Sequence, residues 1–354
     1  MLPTLPHATS PSNAAVSLVL CTCNGTPRLE KTLQALLRLS RLRGASLDRI
    51  VLVDNASTDH TGELLDAWAS TAPSGLVRVL HEARPGKTHA LLTALTHVRT
   101  RYAAIVDDDN IVHESWFDGS LRALSSRDDI GVLGVRTFTR TGLEERHPEW
   151  LLRLFAIGAQ NGSPRAGLVE CEHVWGAGSW IDAYALRFAL AHGWCPVLWS
   201  RSPGNLLGGE DTELCHALRL LGLRVYADDD IAIEHDVAPE RLARDRILRL
   251  AFAIGLSEPI LQAYDHHGHG NLSAGSSLPG DLARCILHVV RGTLRALARD
   301  HVGGLAADVR LALARGRIHS RMTCRARIRQ AALAAGAALR LRGRCRAPSP
   351  IRFT

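Results

Sequence analysis

The sequence contains no run of about 20 apolar residues, the length a membrane-spanning helix needs. Its opening stretch, Met1 to His7, has neither a basic head nor an apolar segment, which predicts no secretory leader. The eight cysteines are scattered, and none stands in a Cys-X-X-Cys pair. Neither a disulfide framework nor a structural zinc site is expected, and a reducing, cytoplasmic setting follows. No internal repeat is visible. The net charge is +7, yet no recognised nucleic-acid module or aromatics interleaved with basic residues accompany it, so no nucleic-acid partner is expected.

What is present is ample material for a core. The chain has 354 residues, 46% of them hydrophobic and 22% charged, enough for two domains or one large domain with an appendage. The charge is uneven. Asp281 to Thr354 holds 16 Arg, no Lys and 3 Asp, a local balance of +13 that leaves the rest of the chain at −6. An acidic body with a basic tail separates chemistry from anchoring along the sequence.

Past a loose terminus over residues 1–14, short apolar runs alternate with helical patterns. Val16-Ser17-Leu18-Val19-Leu20-Cys21 reads as a buried strand. Thr26-Pro27 reads as a helix start with a hydroxyl cap and Pro in the first turn. Ile50 to Val53, Leu76 to Leu80 and Tyr102 to Val106 read as further strands, separated by amphipathic helices. Such continuous apolar strands predict an α/β, Rossmann-like, mostly parallel sheet with helices on both faces. Ligands of these sheets sit beyond the carboxyl ends of the strands. Those ends carry Thr22-Cys23-Asn24, Asp54-Asn55 and Asp107-Asp108-Asp109. The fingerprint Gly-X-Gly-X-X-Gly is missing after the first strand, which disfavours an ordinary dinucleotide site. From Arg140 to Gly167 the sequence reads as a mobile loop, and from Pro239 as mostly helical, with a break around His266 to Pro279.

Three carboxylates at a strand end repel one another unless a cation or a donor-rich ligand compensates. An Asp-X-Asp pair there suits Mg2+ or Mn2+, ions that bridge to phosphates. A second triplet, Asp228-Asp229-Asp230, has no crossover behind it and reads as a surface turn. Gly208-Gly209-Glu210-Asp211 opens a helix. There Asp211 is either a plain cap or, if it faces a cleft, a base for a hydroxyl proton. Trp175 and Trp180 flank Gly176-Ala177-Gly178 and read equally as a sugar platform or as core. Asp265-His266-His267-Gly268-His269 reads as a polar loop, and Cys21 and Cys23 as strand-end packing.

The order of these segments resembles family 2 glycosyltransferases of the GT-A fold. It runs from Cys21-Thr22-Cys23-Asn24 through Asp54-Asn55-Ala56-Ser57-Thr58-Asp59, Arg84-Pro85-Gly86-Lys87 and Asp107-Asp108-Asp109-Asn110. It ends with Gly176-Ala177-Gly178 and Gly209-Glu210-Asp211-Thr212-Glu213-Leu214, a likeness covering about residues 14 to 236. The resemblance implies a GT-A domain over 15–236 and a basic helical region over 237–354. It implies an inverting, metal-dependent transfer from a nucleotide-sugar, a UDP-sugar favoured, to a glycan or lipid-linked acceptor in cell-surface polysaccharide or glycolipid synthesis. Thr22, Asn24, Asp54, Gly86, Lys87, Asp107 and Asp108 then fall at the nucleotide-sugar. Asp109, with Asp107 and His235, falls at Mn2+ or Mg2+. Asp211 falls at the catalytic base, with Glu210 beside it. Ser57 and Asp59 either join the nucleotide segment or only cap the next helix. The family's aromatic after strand one is absent here, so stacking on the base from that position is lost. A nucleotidyltransferase and a nucleotide-sugar-binding protein without turnover are the alternatives.

In the tail, Leu282, Ile286, Val289, Val290, Leu294 and Leu297 form an apolar stripe among Arg284, Arg291, Arg295 and Arg299, and Leu311, Leu313, Ile318 and Ile328 mix with many more Arg. Basic amphipathic helices of this kind lie on anionic membranes, which predicts peripheral contact through 281–354 at the inner face of the membrane. A helical subdomain packed on the catalytic domain, with Arg facing solvent, is the other reading.

Overall fold

A computed structural model describes residues 16–160, 164–202, 204–268 and 301–345, with four isolated positions (279, 280, 283 and 287) between the last two segments. The loose terminus and the apolar stripe from Leu282 to Leu297 therefore lie outside the described residues.

Nine strands form one sheet in the order β3-β2-β1-β4-β8-β6-β9-β5, with β7 pairing to β9 off this path. They are β1 (Val16–Thr22), β2 (Leu47–Asn55), β3 (Val77–Glu82), β4 (Tyr102–Asp107), β5 (Asn110–Ile111), β6 (Ile130–Phe138), β7 (Leu168–Cys171), β8 (Trp180–Asp182) and β9 (Arg224–His235). Pairs β1/β2, β2/β3, β1/β4 and β6/β9 are parallel, whereas β8, β5 and β7 pair antiparallel with their neighbours. The expected mostly parallel α/β sheet is what forms.

The period-two alternation of strand side chains decides how the sheet is covered. In β1, Val19 and Cys21 enter one core with Val51, Val53, Ala103 and Ile105. Leu18 and Leu20 enter the other with Ile50, Leu52, Ala104 and Val106. Helices α1 (Thr26–Arg43), α2 (Thr61–Ala69) and α4 (Glu114–Ser126) close the second face. Helices α3 (Lys87–Leu95), α7 (Ala183–Ala191) and α8 (Glu210–Leu220) close the first. From β3 the chain crosses to β4 on the far side of β1, so strand order reverses there and a crevice opens beyond the ends of β1 and β4.

The described C-terminal helices are packed on this body. Leu256, Ile260, Ala263 and Tyr264 of α9 (Arg244–Gly268), and Ala331, Ala334, Ala335 and Ala338 of the last helix, share a core with α8. Between them runs α10 (His301–Thr323); the last helix is α11 (Arg325–Arg340). Helices α9 and α10 meet backbone to backbone. A Cβ on Gly255 would collide with the Leu313 carbonyl, and one on Gly316 with the Phe252 carbonyl. Leu313 and Ile328 pack against core clusters.

Several expectations need correction. The N-cap of α1 is Gly25, and the Thr26 hydroxyl turns instead to Thr61 Oγ1 at 3.3 Å. The stretch 140–167 is largely built. Short helices α5 (Leu143–Arg146) and α6 (Glu149–Leu152) bury Leu143, Leu151 and Leu152 in a third cluster with Phe155 and Ile157. Helix α9 runs through 266 to Gly268, so the polar stretch from Asp265 is helical that far; the side chains of His266, His267 and His269 lie outside the description. Asp228-Asp229-Asp230 is not a turn between two strands. It is a bulge inside the single strand β9, where the register against β6 jumps from Val135↔Asp228 to Arg136↔Ala232.

Candidate active site

The acidic corner is built where β4 stops. Short strand β5 pairs antiparallel with the end of β9, setting Asn110 opposite His235. That pairing brings the His235 imidazole to Asp109, with Nε2 3.4 Å from Oδ1. Its Nδ1 lies 3.1 Å from the Ala156 carbonyl oxygen. Burial works against an ionised Asp109, but the His235 hydrogen bond and the charges of His235, Arg241 and Lys87 win, and its pKa drops to about 2. Burial likewise works against a charged His235, yet Asp109 outweighs it and the imidazole pKa is raised. Arg241 donates to Asp109 Oδ2 at 3.0 Å.

Asp108 braces the loop after β1. Thr22 Oγ1 donates to it at 2.6 Å, and Arg28 forks onto both oxygens at 3.0 and 2.7 Å. Asp107 pairs with Lys87. Desolvation disfavours the Lys87 ammonium, but Asp107 and Glu210 overcome it, so its pKa rises and it stays charged. Lys87 starts α3 directly after Gly86, which has φ +123° and whose amide donates to Asn55 Oδ1 at 2.8 Å. A Cβ on Gly86 would strike the Trp199 carbonyl, so glycine is required there.

Helix α8 supplies the remaining carboxylates. Gly209 caps it at φ +90°, and Glu210 and Asp211 fill its first turn, where the helix dipole favours negative charge. The Gly176 amide donates to Asp211 Oδ2 at 3.0 Å. A Cβ on Gly176 would lie 3.6 Å from the Asp211 Cβ and 3.7 Å from Lys87 Nζ, so the bare backbone at Gly176 sits between those two side chains. Burial and the neighbouring Asp211 raise the pKa of Glu210.

These pieces share one cavity of about 810 Å³. Thr22, Lys87, Asp107, Asp108, Asp109, Glu210, Asp211 and His235 all line it. Asn24, Asp54 and Gly86 do not. Asn24 ties two loops together, its amide donating to Ser57 Oγ at 2.9 Å and its Oδ1 accepting from the Thr58 amide at 2.8 Å. Asp54 accepts from the Ser57 amide at 3.3 Å and lies 3.3 Å from His81 Nδ1. Asp59 accepts from the Thr61 amide and hydroxyl at the start of α2. The two tryptophans part company. Trp180 is fully buried against Trp116 and Phe117, whereas Trp175 lines the cavity. Cys21 is buried at the strand end and Cys23 is exposed, both as free thiols.

Residues 17–179 match the model of Glycosyl transferase family 2. This segment is a family 2 glycosyltransferase domain. Over 86 residues the chain is 35% identical to the glycosyltransferase GlyG of Streptococcus pneumoniae, covering 24% of this chain and 28% of that protein. Over 119 residues it is 29% identical to the uncharacterized glycosyltransferase EpsJ of Bacillus subtilis, covering 34% and 33%. The matches thus span about a third or less of those relatives. The mannosyltransferase PcManGT from Pyrobaculum calidifontis, solved in complex with GDP-Man and Mn2+, superposes with a TM-score of 0.57 at 19% identity. That superposition covers 89% of this chain and 90% of that one, and it shows the shared GT-A fold.

Eight of the expected site residues, three of them beyond the matched segment, come together in the cavity, but it is finished by residues no motif marks. Arg28, Arg153, Arg201 and Arg241 line it, and so does one face of α9. Arg28 lies in the first turn of α1, a position indistinguishable in sequence from any solvent arginine. Glu213 left a faint signal, a carboxylate inside an apolar helical stripe. It is buried and accepts from the Val197 amide at 2.8 Å, the Leu198 amide at 2.9 Å and the Tyr264 hydroxyl at 2.6 Å. Burial pushes its pKa up to about 7 despite those donors.

A divalent cation is implied by the family, and the donor chemistry tests the fit. Among the described residues no three His, Cys, Asp or Glu side chains are grouped to enclose a metal. The corner offers instead one carboxylate and one imidazole in contact, Asp109 and His235, with Asp107 two residues away. Mg2+ and its like are held by one or two carboxylates plus substrate phosphates rather than by an all-protein cage. An open, partial donor set of this kind fits that mode.

Proposed function

We propose that the chain transfers a glycosyl group from a nucleotide-sugar to an acceptor hydroxyl by a single inverting displacement. The observation that carries this reading is the shared cavity. It joins the acidic turn after β4 to the first turn of α8, with Lys87 and Gly176 between them.

Thr22, Asn24, Asp54, Gly86, Asp107 and Asp108 form or brace the nucleotide-sugar side, at the carboxyl ends of β1, β2 and β4 and in the loop before α3. Asp109 and His235, with Asp107, would hold Mn2+ or Mg2+, which when bound neutralises charge on a departing diphosphate. Lys87 adds a fixed positive charge beside Asp107. Asp211 accepts the proton of the acceptor hydroxyl, whose oxygen bonds to the anomeric carbon. The bond from that carbon to the diphosphate oxygen breaks, and the nucleoside diphosphate leaves with the electron pair. Glu210 contacts the acceptor. Fixing both reactants in one cleft supplies much of the acceleration. The Mn2+ and GDP-mannose of PcManGT belong to that protein; here they mark GDP-sugars for testing beside the favoured UDP-sugars.

The acceptor is a glycan or lipid-linked molecule of cell-surface polysaccharide or glycolipid synthesis. Peripheral membrane contact runs through the arginines of 281–354. No helix among the described residues is long and apolar enough to cross a membrane. Flotation with anionic vesicles checks this contact, and equal recovery with neutral vesicles sinks it.

Release of nucleoside diphosphate from a nucleotide-sugar panel, with Mn2+, Mg2+ or chelator, tests the main reading. Release with one donor, abolished by chelation, is expected. If no donor is either bound or cleaved, the assignment is wrong.

A further inference from the structure

Each carboxylate of Asp107-Asp108-Asp109 carries a cation, and the three grips differ. Arg28 reaches both Asp108 oxygens, at 3.0 and 2.7 Å, and its Nη2 also donates to the Cys23 carbonyl at 3.3 Å. Lys87, on Asp107, is fixed at the start of α3. Arg241 holds Asp109 by a single N–H, from Nη1 to Oδ2 at 3.0 Å, its one side-chain hydrogen bond or ion pair among the described residues. It stands in a short turn, Pro239–Leu242, none of whose residues is buried. Its side chain is 44% exposed, against 9% for Asp109, and its guanidinium is 6.0 Å from the Phe155 ring, the outer limit of a cation–π contact. A bidentate fork is the stronger and more directional bond. Of the two arginines, Arg241 is therefore the one that can leave.

The other Asp109 oxygen, Oδ1, faces His235 Nε2 at 3.4 Å, while His235 Nδ1 donates to the Ala156 carbonyl at 3.1 Å. A backbone acceptor on the far nitrogen is the usual orientation of a metal-binding imidazole. A divalent ion held by Asp109 and His235 would share one carboxylate with the Arg241 guanidinium. Two positive groups on one half-desolvated carboxylate repel strongly at such range. Either the guanidinium leaves or the ion is held weakly. Without an ion, the same guanidinium relieves the repulsion that adjacent carboxylates would otherwise suffer.

We propose that Arg241 is a placeholder for the divalent ion. In the free chain its guanidinium neutralises Asp109, and the ion gains that carboxylate only by displacing it. The corner therefore resists a bare cation. Diphosphate oxygens, by completing the ion's shell, offset the displacement. This adds a regulation of the same site and rests on the metal assignment of the glycosyl-transfer reading.

Calorimetry of MnCl2 into the full chain, without nucleotide, tests the proposal, with electron paramagnetic resonance of the unbound Mn2+ as a second readout. Arg241→Gln is expected to bind Mn2+ at least about tenfold more tightly than the unaltered chain. Adding Asp109→Ala to that variant should abolish the gain. Arg28→Gln, which removes the same charge from the same cavity but frees Asp108, should change Mn2+ affinity by less than about threefold. Unchanged or weakened Mn2+ affinity in Arg241→Gln overturns the proposal. So does an equal gain in Arg28→Gln, which would show only the overall field, and so does a gain that survives Asp109→Ala. Urea unfolding gives an independent check. A fixed concentration of Mn2+ should raise the midpoint of Arg241→Gln more than that of the unaltered chain, and equal rises overturn the proposal. Nucleoside diphosphate binding with Mn2+, measured on the same samples, keeps the two readings apart. Its absence from the unaltered chain sinks glycosyl transfer, whereas its presence with unchanged Mn2+ affinity in Arg241→Gln sinks only the placeholder.

Discussion

The chain contains two Asp-Asp-Asp triplets, and their surroundings differ in kind. Asp107 faces Lys87, Asp108 faces Arg28, and Asp109 faces His235 and Arg241, so every carboxylate of the first triplet meets a side-chain cation. In the second, Asp228 accepts from the Asp230 amide, Asp229 from the Gln160 and Arg165 amides, and Asp230 from the Gly167 amide. Every carboxylate there meets backbone. A side-chain cation can swing aside for a metal or a diphosphate, whereas a backbone amide in a packed segment cannot. The first triplet is therefore suited to ligand exchange, and the second pins Gln160, Arg165 and Gly167 to the β9 bulge. Identical residues take different roles because the topology offers them different partners.

The contrast is broken most directly by removing the groups assigned to chemistry. Asp211→Asn is expected to lower turnover by about 10²–10⁴-fold, the usual range for loss of a general base. Its nucleoside diphosphate affinity should match that of the unaltered chain. Near-normal turnover in a stopped assay of diphosphate release would remove Asp211 from the mechanism. Asp109→Ala comes next. Calorimetry with Mn2+ should show the nucleoside diphosphate bound at least about tenfold more weakly, while the same titration without metal changes little. A loss that is equal with and without Mn2+ would mean that Asp109 supports the fold rather than the ion.

Asp229→Asn should do the reverse. The amide replaces one accepting oxygen with a donor, so the Gln160 or Arg165 N–H loses its partner. The cost is about 1–3 kcal/mol of stability. Urea unfolding should show that loss, with turnover per folded molecule within about threefold. Normal stability together with abolished donor cleavage in this variant would erase the distinction between the triplets.

The first triplet was legible because a run of β-branched and apolar residues ends in charge, and a parallel sheet turns such an end into a site. Asp211 and Gly176 were legible through glycine, which marks close approach of backbone. The β9 bulge was not. A bulge is set by pairing with β6, and nothing in Asp228-Asp229-Asp230 announces its partner 93 residues earlier, where Arg136 Nε donates to the Asp229 carbonyl at 3.2 Å. The order within 140–167 escaped for the same reason, since Leu143, Leu151 and Phe155 are buried by Val237 and Ile247, which lie far along the chain. Helix α9 reads in sequence as an appendage. The Ser257–Gly208 and Tyr264–Glu213 hydrogen bonds, the Leu261–Gly209 approach and the core shared with α8 make it a wall of the site.

Glu213 sharpens the comparison at its smallest scale, since it stands two residues from Asp211 and shares its helix. Like Asp229, it accepts backbone amides, here from Val197 and Leu198, and it adds the Tyr264 hydroxyl of α9. Burial raises its pKa from 4.5 to about 7 in the folded chain. The folded state therefore keeps the proton longer than the unfolded state. The stability this contributes is complete below pH 4.5 and is lost as the pH rises to about 7, a swing of order 3 kcal/mol by linkage. Glu213→Gln abolishes the titration, so the stability difference between the two chains should slope across that window and flatten above it. Urea midpoints at about pH 5, 6, 7 and 8 measure the slope. Parallel curves across the whole range would mean that Glu213 is ionised throughout, held by its three donors.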